Sequence, residues 1–183
     1  MRKVMKISAK IAEMVFIKFI VSIIKYPFRV YRNKEYKNML LKDTNKEKFS
    51  EIYSKNFWSS KESGSGKGSE IIYTKNLRCW LLEALPANGV EKFVDAACGD
   101  FNWMKLVIPQ LHVEYYGIDI VDSVIEKNIA KYSDEKTKFA VADICNDKLP
   151  DCDLIMIRDC LFHLSFSTSL PVLGKLTSKI NCR

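Results

Sequence analysis

Phe93-Val94-Asp95-Ala96-Ala97-Cys98-Gly99-Asp100-Phe101-Asn102-Trp103 carries a short apolar run onto a carboxylate and then into a sharp turn around Gly99. In an open α/β sheet the first strand has this form, because its carboxyl end faces the ligand crevice and the next turn offers backbone N–H groups there. Gly99 lets the chain pass close to whatever is bound. Two later runs repeat the form: 113–119 ends on Asp119, and 138–143 ends on Asp143. Three strands thus end on three acids.

Working outward, 73–85 reads as a helix with Leu77, Trp80, Leu81, Ala84 and Leu85 on one face, stopped by Pro86-Ala87-Asn88-Gly89. Further helices are expected over 102–110, 121–132, 161–166 and 170–180. A fourth strand is expected over 152–157, almost continuously apolar as a buried parallel strand should be. Alternation of strand and helix at this spacing implies an α/β fold, a Rossmann-like parallel sheet of about four strands with right-handed crossovers.

The stretch from Asp95 to Met104, then Gly117-Ile118-Asp119-Ile120-Val121-Asp122, Val141-Ala142-Asp143-Ile144 and residues 153–165, resembles the class I S-adenosylmethionine (SAM) dependent methyltransferases. Their first motif runs hydrophobic-hydrophobic-Asp/Glu-x-Gly-x-Gly-x-Gly. The resemblance covers about residues 90–165, and within the superfamily the chain is similar to a bacterial group associated with cell-surface glycan genes. Ala97 and Phe101 stand where glycines are usual, and Phe101 is expected to narrow the loop.

The resemblance implies SAM as cofactor. It implies binding by Asp95, Ala97, Cys98, Gly99, Asp100, Asn102 and Trp103 in the first turn, by Asp119 with Ile120, and by Asp143 with Ile144. Asp119 would accept from the ribose hydroxyls and Asp143 from the adenine amino group, with Ile144 against the ring. Asp95 would orient the loop and the amino-acid end of the cofactor. Each acid taken alone is equally explained as a turn or helix cap. Methyltransferases of this kind have seven strands in the order 3-2-1-4-5-7-6, so a chain supplying four is expected to be a truncated product with an apolar edge at its fourth strand, prone to associate.

Arg158-Asp159-Cys160-Leu161-Phe162-His163 comes after the fourth strand. If a helix begins there, Asp159 and His163 at i and i+4 share a face aimed at the crevice, and an imidazole beside a carboxylate is a proton acceptor for a hydroxyl nucleophile. The alternative makes Asp159 a helix cap and His163 a packing residue. Arg158 either holds an anionic acceptor or pairs with a nearby acid.

Residues 43–70 turn polar around Ser63-Gly64-Ser65-Gly66-Lys67-Gly68-Ser69. This is not a phosphate loop, which needs Lys followed by Ser or Thr, whereas Gly68 follows Lys67. It reads as a flexible linker or as a lid in which Trp58, Ser65, Gly66 and Gly68 cover the cofactor or acceptor. The catalytic domain would then occupy 71–183.

Charge is concentrated at the amino end. Residues 1–48 hold 13 Lys and Arg against 4 Asp and Glu, which leaves 16 against 18 in the rest of a chain whose net charge is +7. A slightly acidic domain without a basic stripe argues against nucleic acid as partner. Residues 1–42 read as a basic amphipathic helical segment, too interrupted by Lys18 and Glu13 to span a bilayer. It suits either an anionic membrane surface or a protein face. The cysteines make no C-x-x-C pair and have no His at zinc spacing, so reduced thiols and no metal are expected, with Cys98 and Cys160 as small buried hydrophobes.

The function expected is SAM-dependent methyl transfer to a hydroxyl of a cell-envelope saccharide or another small acceptor, in the cytoplasm and peripheral to the inner membrane face. A nucleotide-dependent oxidoreductase would also want Asp119 but lacks G-x-G-x-x-G in the first turn. An inactive, membrane-associated binding module is the remaining alternative.

Overall fold

A computed structural model describes residues 34–180. The chain divides into two units, Met1–Leu41 and Lys42–Arg183. In the first unit, α1 spans Lys34–Leu40; the rest of the basic amphipathic segment read over 1–42, up to residue 33, lies outside the described residues. No helix among the described residues is long and apolar enough to cross a membrane.

In the second unit, α2 (Asn45–Ser54) opens on a capping box. The Thr44 hydroxyl accepts from the Glu47 N–H at 3.2 Å while the Glu47 carboxylate accepts from the Thr44 N–H at 3.3 Å, so two of the N–H groups a helix start leaves unpaired are satisfied locally. Then come α3 (Ile71–Ala87), β1 (Lys92–Ala96), β2 (Glu114–Asp119), α4 (Asp122–Tyr132), β3 (Thr137–Val141), β4 (Leu154–Ile157) and α5 (Phe166–Ile180). The four strands form one parallel sheet in the order β3-β2-β1-β4.

Alternation along β1 builds the core on both faces. Phe93 packs with Tyr115, Phe139, Leu81 and Leu85 on one side, while Val94 and Ala96 pack with Ile118, Leu149 and Val172 on the other. Register sets Asp95 opposite Gly117 on β2 and Met156 on β4. The carboxyl ends of the strands therefore come level at one rim, where ligands of such sheets bind.

Four expected elements differ. The helix over 102–110 is two 3-10 turns, Met104–Leu106 and Ile108–Gln110, because Pro109 lacks an N–H and disfavours the α conformation at Ile108. β4 is shorter than 152–157, and its four residues are half-buried. It is the edge of the sheet as described, so its run of apolar residues does not signify burial on all sides. Residues 161–166 form only the 3-10 turn Leu161–His163, and the last helix starts at Phe166 rather than 170. The Ser165 carbonyl, which accepts from the Thr168 and Ser169 N–H groups at 3.0 and 2.9 Å, starts it there.

Residues 43–70 belong to the same unit as the sheet and are bonded to the first turn rather than strung loosely before it. The Asp100 carboxylate accepts from the Ser63 hydroxyl at 3.0 Å, the Gly64 N–H at 2.7 Å and the Ser65 hydroxyl at 3.1 Å. Asn102 donates to Glu62 at 2.7 Å and to the Ser69 carbonyl at 3.1 Å. Arg158 donates to the Gly68 carbonyl at 2.6 Å. A free linker would leave these groups to water.

Candidate functional site

Ala97, Gly99 and Phe101 all have left-handed backbone, with φ of 69°, 59° and 57°. These are the three positions of alternating glycines in the pattern Asp-x-Gly-x-Gly-x-Gly, and all three have the backbone that glycine adopts most readily although only one is glycine. Holding a side-chain residue there costs about 1–2 kcal/mol per position. Phe101 recovers this through burial. Its ring lies 5.2, 5.1 and 5.0 Å from those of Tyr115, Tyr132 and Phe139, inside the core and away from the crevice. The expectation that Phe101 narrows the loop is therefore corrected: the left-handed backbone turns the ring under the sheet rim. Gly99 has no such freedom to change, since a Cβ there would collide with the Ser65 hydroxyl and approach the Tyr53 hydroxyl to 3.0 Å.

The turn is gripped from both sides of Gly99. Its N–H donates to Asp119 Oδ2 at 3.0 Å, and its carbonyl accepts from the buried Asn128 amide at 2.7 Å. Asp119 Oδ1 takes the Val121 N–H at 3.1 Å. The Ile120 N–H bonds this carboxylate as well, so three backbone donors fix its orientation. Asp95 accepts from the Tyr115 hydroxyl at 2.9 Å. The Asp143 carboxylate accepts from the Cys145 N–H and the Asn146 amide, both at 2.8 Å, which is an Asx-type turn.

A cleft opens at this rim, with about 800 Å³ of empty space that is continuous with solvent. Asp95, Ala97, Cys98, Gly99 and Trp103 from the first turn line it, together with Asp119, Ile120, Asp143 and Ile144. From the expected lid and catalytic residues, Trp58, Ser65, Arg158, Asp159 and His163 line it too. Asp100, Asn102, Gly66 and Gly68 do not: Asp100 and Asn102 bond Gly64 and Ser69, Gly68 is bonded by Arg158, and Gly66 packs on Trp58.

Asp159 and His163 do not share a helix face. Asp159 is itself left-handed, with φ of 53°, and pairs with Arg158 at 2.8 Å. Arg158 also bonds the Gly68 carbonyl and lies 5.5 Å over the Trp103 ring. Of its two expected roles, the structure shows the pairing with an acid.

Sequence reading missed Asn45, Phe49 and Tyr53, which reach the cleft from α2. The signal available was the Thr44-x-x-Glu47 capping box, which announces a helix start just where the composition had turned polar.

Burial raises Asp95 to about 7 and Asp119 to about 6, against an ordinary value of 3.8. Burial also pushes the Cys98 and Cys160 thiols up, which disfavours thiolate chemistry. Between about pH 4 and 7 the folded chain holds protons on Asp95 and Asp119 that the unfolded chain has released, so these two groups make the unliganded protein more stable as pH falls through that window. Glu62, lowered by bonds from the Ile71 N–H and Asn102, and Asp134, lowered by the Lys136 and Thr137 N–H groups, act oppositely and lose their contribution as pH falls below about 4. The unliganded protein should therefore melt at a higher temperature near pH 5 than at pH 8, and Asp95→Asn should flatten the difference. A melting series at constant ionic strength, rising instead toward pH 8, would show that neither acid is held protonated.

No family model matches the chain, and no curated protein matches it. Solved structures do match in fold. The N-methyltransferase NodS from Bradyrhizobium japonicum WM9, in complex with S-adenosyl-L-homocysteine (SAH), superposes with a TM-score of 0.56 at 14% identity, covering 72% of this chain and 67% of that one. The plantazolicin methyltransferase BpumL, with a pentazolic desmethylPZN analogue and SAH, gives 0.55 at 16% identity over 80% of this chain and 56% of its own. BpumL with SAH alone gives 0.51 at 19% identity over 91% and 58%. The chain thus spans 56–67% of the length of these structures. The likeness is one of fold, a Rossmann-like parallel sheet that these methyltransferase structures share with the chain.

Proposed function

We propose that the chain transfers a methyl group from SAM to a hydroxyl of a cell-envelope saccharide or another small acceptor. The observation that carries the reading is the left-handed turn 97–101 clasping Asp119 at the mouth of a cleft that also holds Asp143 and Ile144. SAH in the NodS and BpumL structures, which share the fold, supports SAM as the cofactor. SAM supplies the methyl on a positively charged sulfur, so the chain has mainly to bind, aim and accept a proton.

In this reading the ribose hydroxyls donate to Asp119, and Ile144 packs on the adenine, whose amino group donates to Asp143. Asp95 orients the turn and the amino-acid end of the cofactor. His163 takes the acceptor's proton, and Asp159, tied to Arg158, balances the charge that forms. Residues 1–42, basic and amphipathic by sequence, support a peripheral position on the inner membrane face, where lipid-linked saccharides are within reach.

Calorimetric titration with SAH, SAM and NAD tests the assignment. Micromolar SAH binding without NAD binding is expected. NAD binding alone would replace methyl transfer with hydride transfer, and a chain that binds neither would be a non-catalytic module.

A further inference from the structure

Four aromatic side chains converge on the cleft from elements far apart in sequence. Trp58 and His163 have ring centroids 5.3 Å apart and inclined at 39°; Phe49 stands edge-on to His163 at 6.1 Å and lies 6.4 Å from Trp58; Tyr53 meets Trp58 edge-on at 5.4 Å. All four line the cleft. The wall is held in place. The Gly66 backbone, at φ 88°, presses so closely on Trp58 that a Cβ there would lie 2.8 Å from the Trp58 Cβ. Tyr53 is fixed by its 2.8 Å hydrogen bond with Ser65.

The charges around this wall are unequal. Asp95, Asp119, Asp143 and Asp159 line the cleft, while Arg158 is the one Lys or Arg among its described lining residues. That guanidinium is already shared between Asp159, the Gly68 carbonyl and the Trp103 face. Acidic groups outnumber basic ones among the described lining residues even with Asp159 paired to Arg158, so an entering anion finds no free cation to hold it there. A ring without negative charge meets aromatic faces that stack on it.

We propose that Phe49, Trp58 and His163 form the acceptor subsite and that it selects a ring-bearing acceptor lacking phosphate or carboxylate, held by stacking rather than by ion pairing. This rests on the methyl-transfer reading and narrows its acceptor to the uncharged saccharides and comparable rings. Trp58 and Phe49 are the specificity-determining residues.

The test uses phenyl β-D-glucopyranoside, which offers both an aromatic and a pyranose ring, against the same glycoside phosphorylated at C6. Each is titrated into the SAH-saturated full chain and followed by ligand-observed NMR. The neutral glycoside should bind in the millimolar range, about tenfold more tightly than its phosphate. Trp58→Ala should weaken the neutral glycoside about fivefold or more; Phe49→Leu, which keeps an apolar side chain but removes the ring, should weaken it in the same direction and serves if Trp58→Ala does not fold. Equal or tighter binding of the phosphate, no binding of the neutral glycoside at 20 mM (roughly the weakest contact that stacking of this kind would leave), or binding indifferent to both substitutions would each overturn the proposal. SAH titration of the parent chain comes first. If SAH fails to bind, the methyl-transfer reading falls, and the glycoside pair on unliganded protein still reports separately whether the wall selects a neutral ring.

Discussion

Asp119→Ala is expected to weaken SAH binding about a hundredfold. Two ribose hydroxyls would lose a charged acceptor, each such bond contributing about 1.5–3 kcal/mol, and the Gly99 and Val121 N–H groups would lose theirs as well. The turn and the ligand depend on the same carboxylate. Asp119→Asn should do little better, because with a backbone N–H facing each oxygen, its amide nitrogen must point at one donor or the other. Calorimetry with SAH, with melting curves to show that the variants fold, measures both effects. A folded Asp119→Ala protein with undiminished affinity would remove Asp119 from the site and with it the main support for SAM.

Phe101→Gly restores the residue that the glycine pattern would place at this position, yet it should destabilise the protein by about 2–4 kcal/mol. Emptying a buried phenylalanine site costs about 3–5 kcal/mol, and Phe101 is 3% exposed among Tyr115, Tyr132 and Phe139. Relief of the left-handed strain at φ 57° returns only about 1 kcal/mol of this. The melting temperature should fall by roughly 5–15 °C. Ala97→Gly is the contrasting case: the same kind of backbone, φ 69°, without a large buried side chain to lose, so it should be neutral or stabilising. If Phe101→Gly melts with or above the parent, Phe101 is tolerated strain rather than a core residue.

Both predictions turn on features with different standing in the sequence. Asp95 and Asp119 were legible because the inner strands β1 and β2 are short runs of mostly apolar residues with an acid at or next to the carboxyl end; Asp143 lies two residues past β3, an edge strand with exposed residues. β1 to β3 appear within one or two residues of their expected limits. The chemistry of a single strand end is local, and local signals survive in sequence. The direction of the Phe101 ring is not local: it depends on Tyr115, Tyr132 and Phe139 being close enough to receive it.

The segment 43–70 shows the same division. Its Gly and Ser content reads as a linker because those residues lack side chains that would announce a packing partner. Their hydroxyl and N–H groups nevertheless converge on Asp100, which lies 35–37 residues away for Ser63 and Ser65. Likewise, i and i+4 spacing united Asp159 and His163 only on the assumption of a helix; the left-handed Asp159 and its bond to Arg158 undo that assumption.

By itself the sequence determined the α/β alternation, the acids at or near the carboxyl ends of three strands and the tight turn after the first strand, because each depends on residue type over a handful of neighbours. Tertiary structure alone decided that Phe101 faces the core, that residues 60–69 are clasped to the first turn, and that Phe49, Trp58 and His163 make one wall. Those outcomes require residues separated by tens to more than a hundred positions to meet, and it is the packing of the sheet, not any local preference, that brings them together.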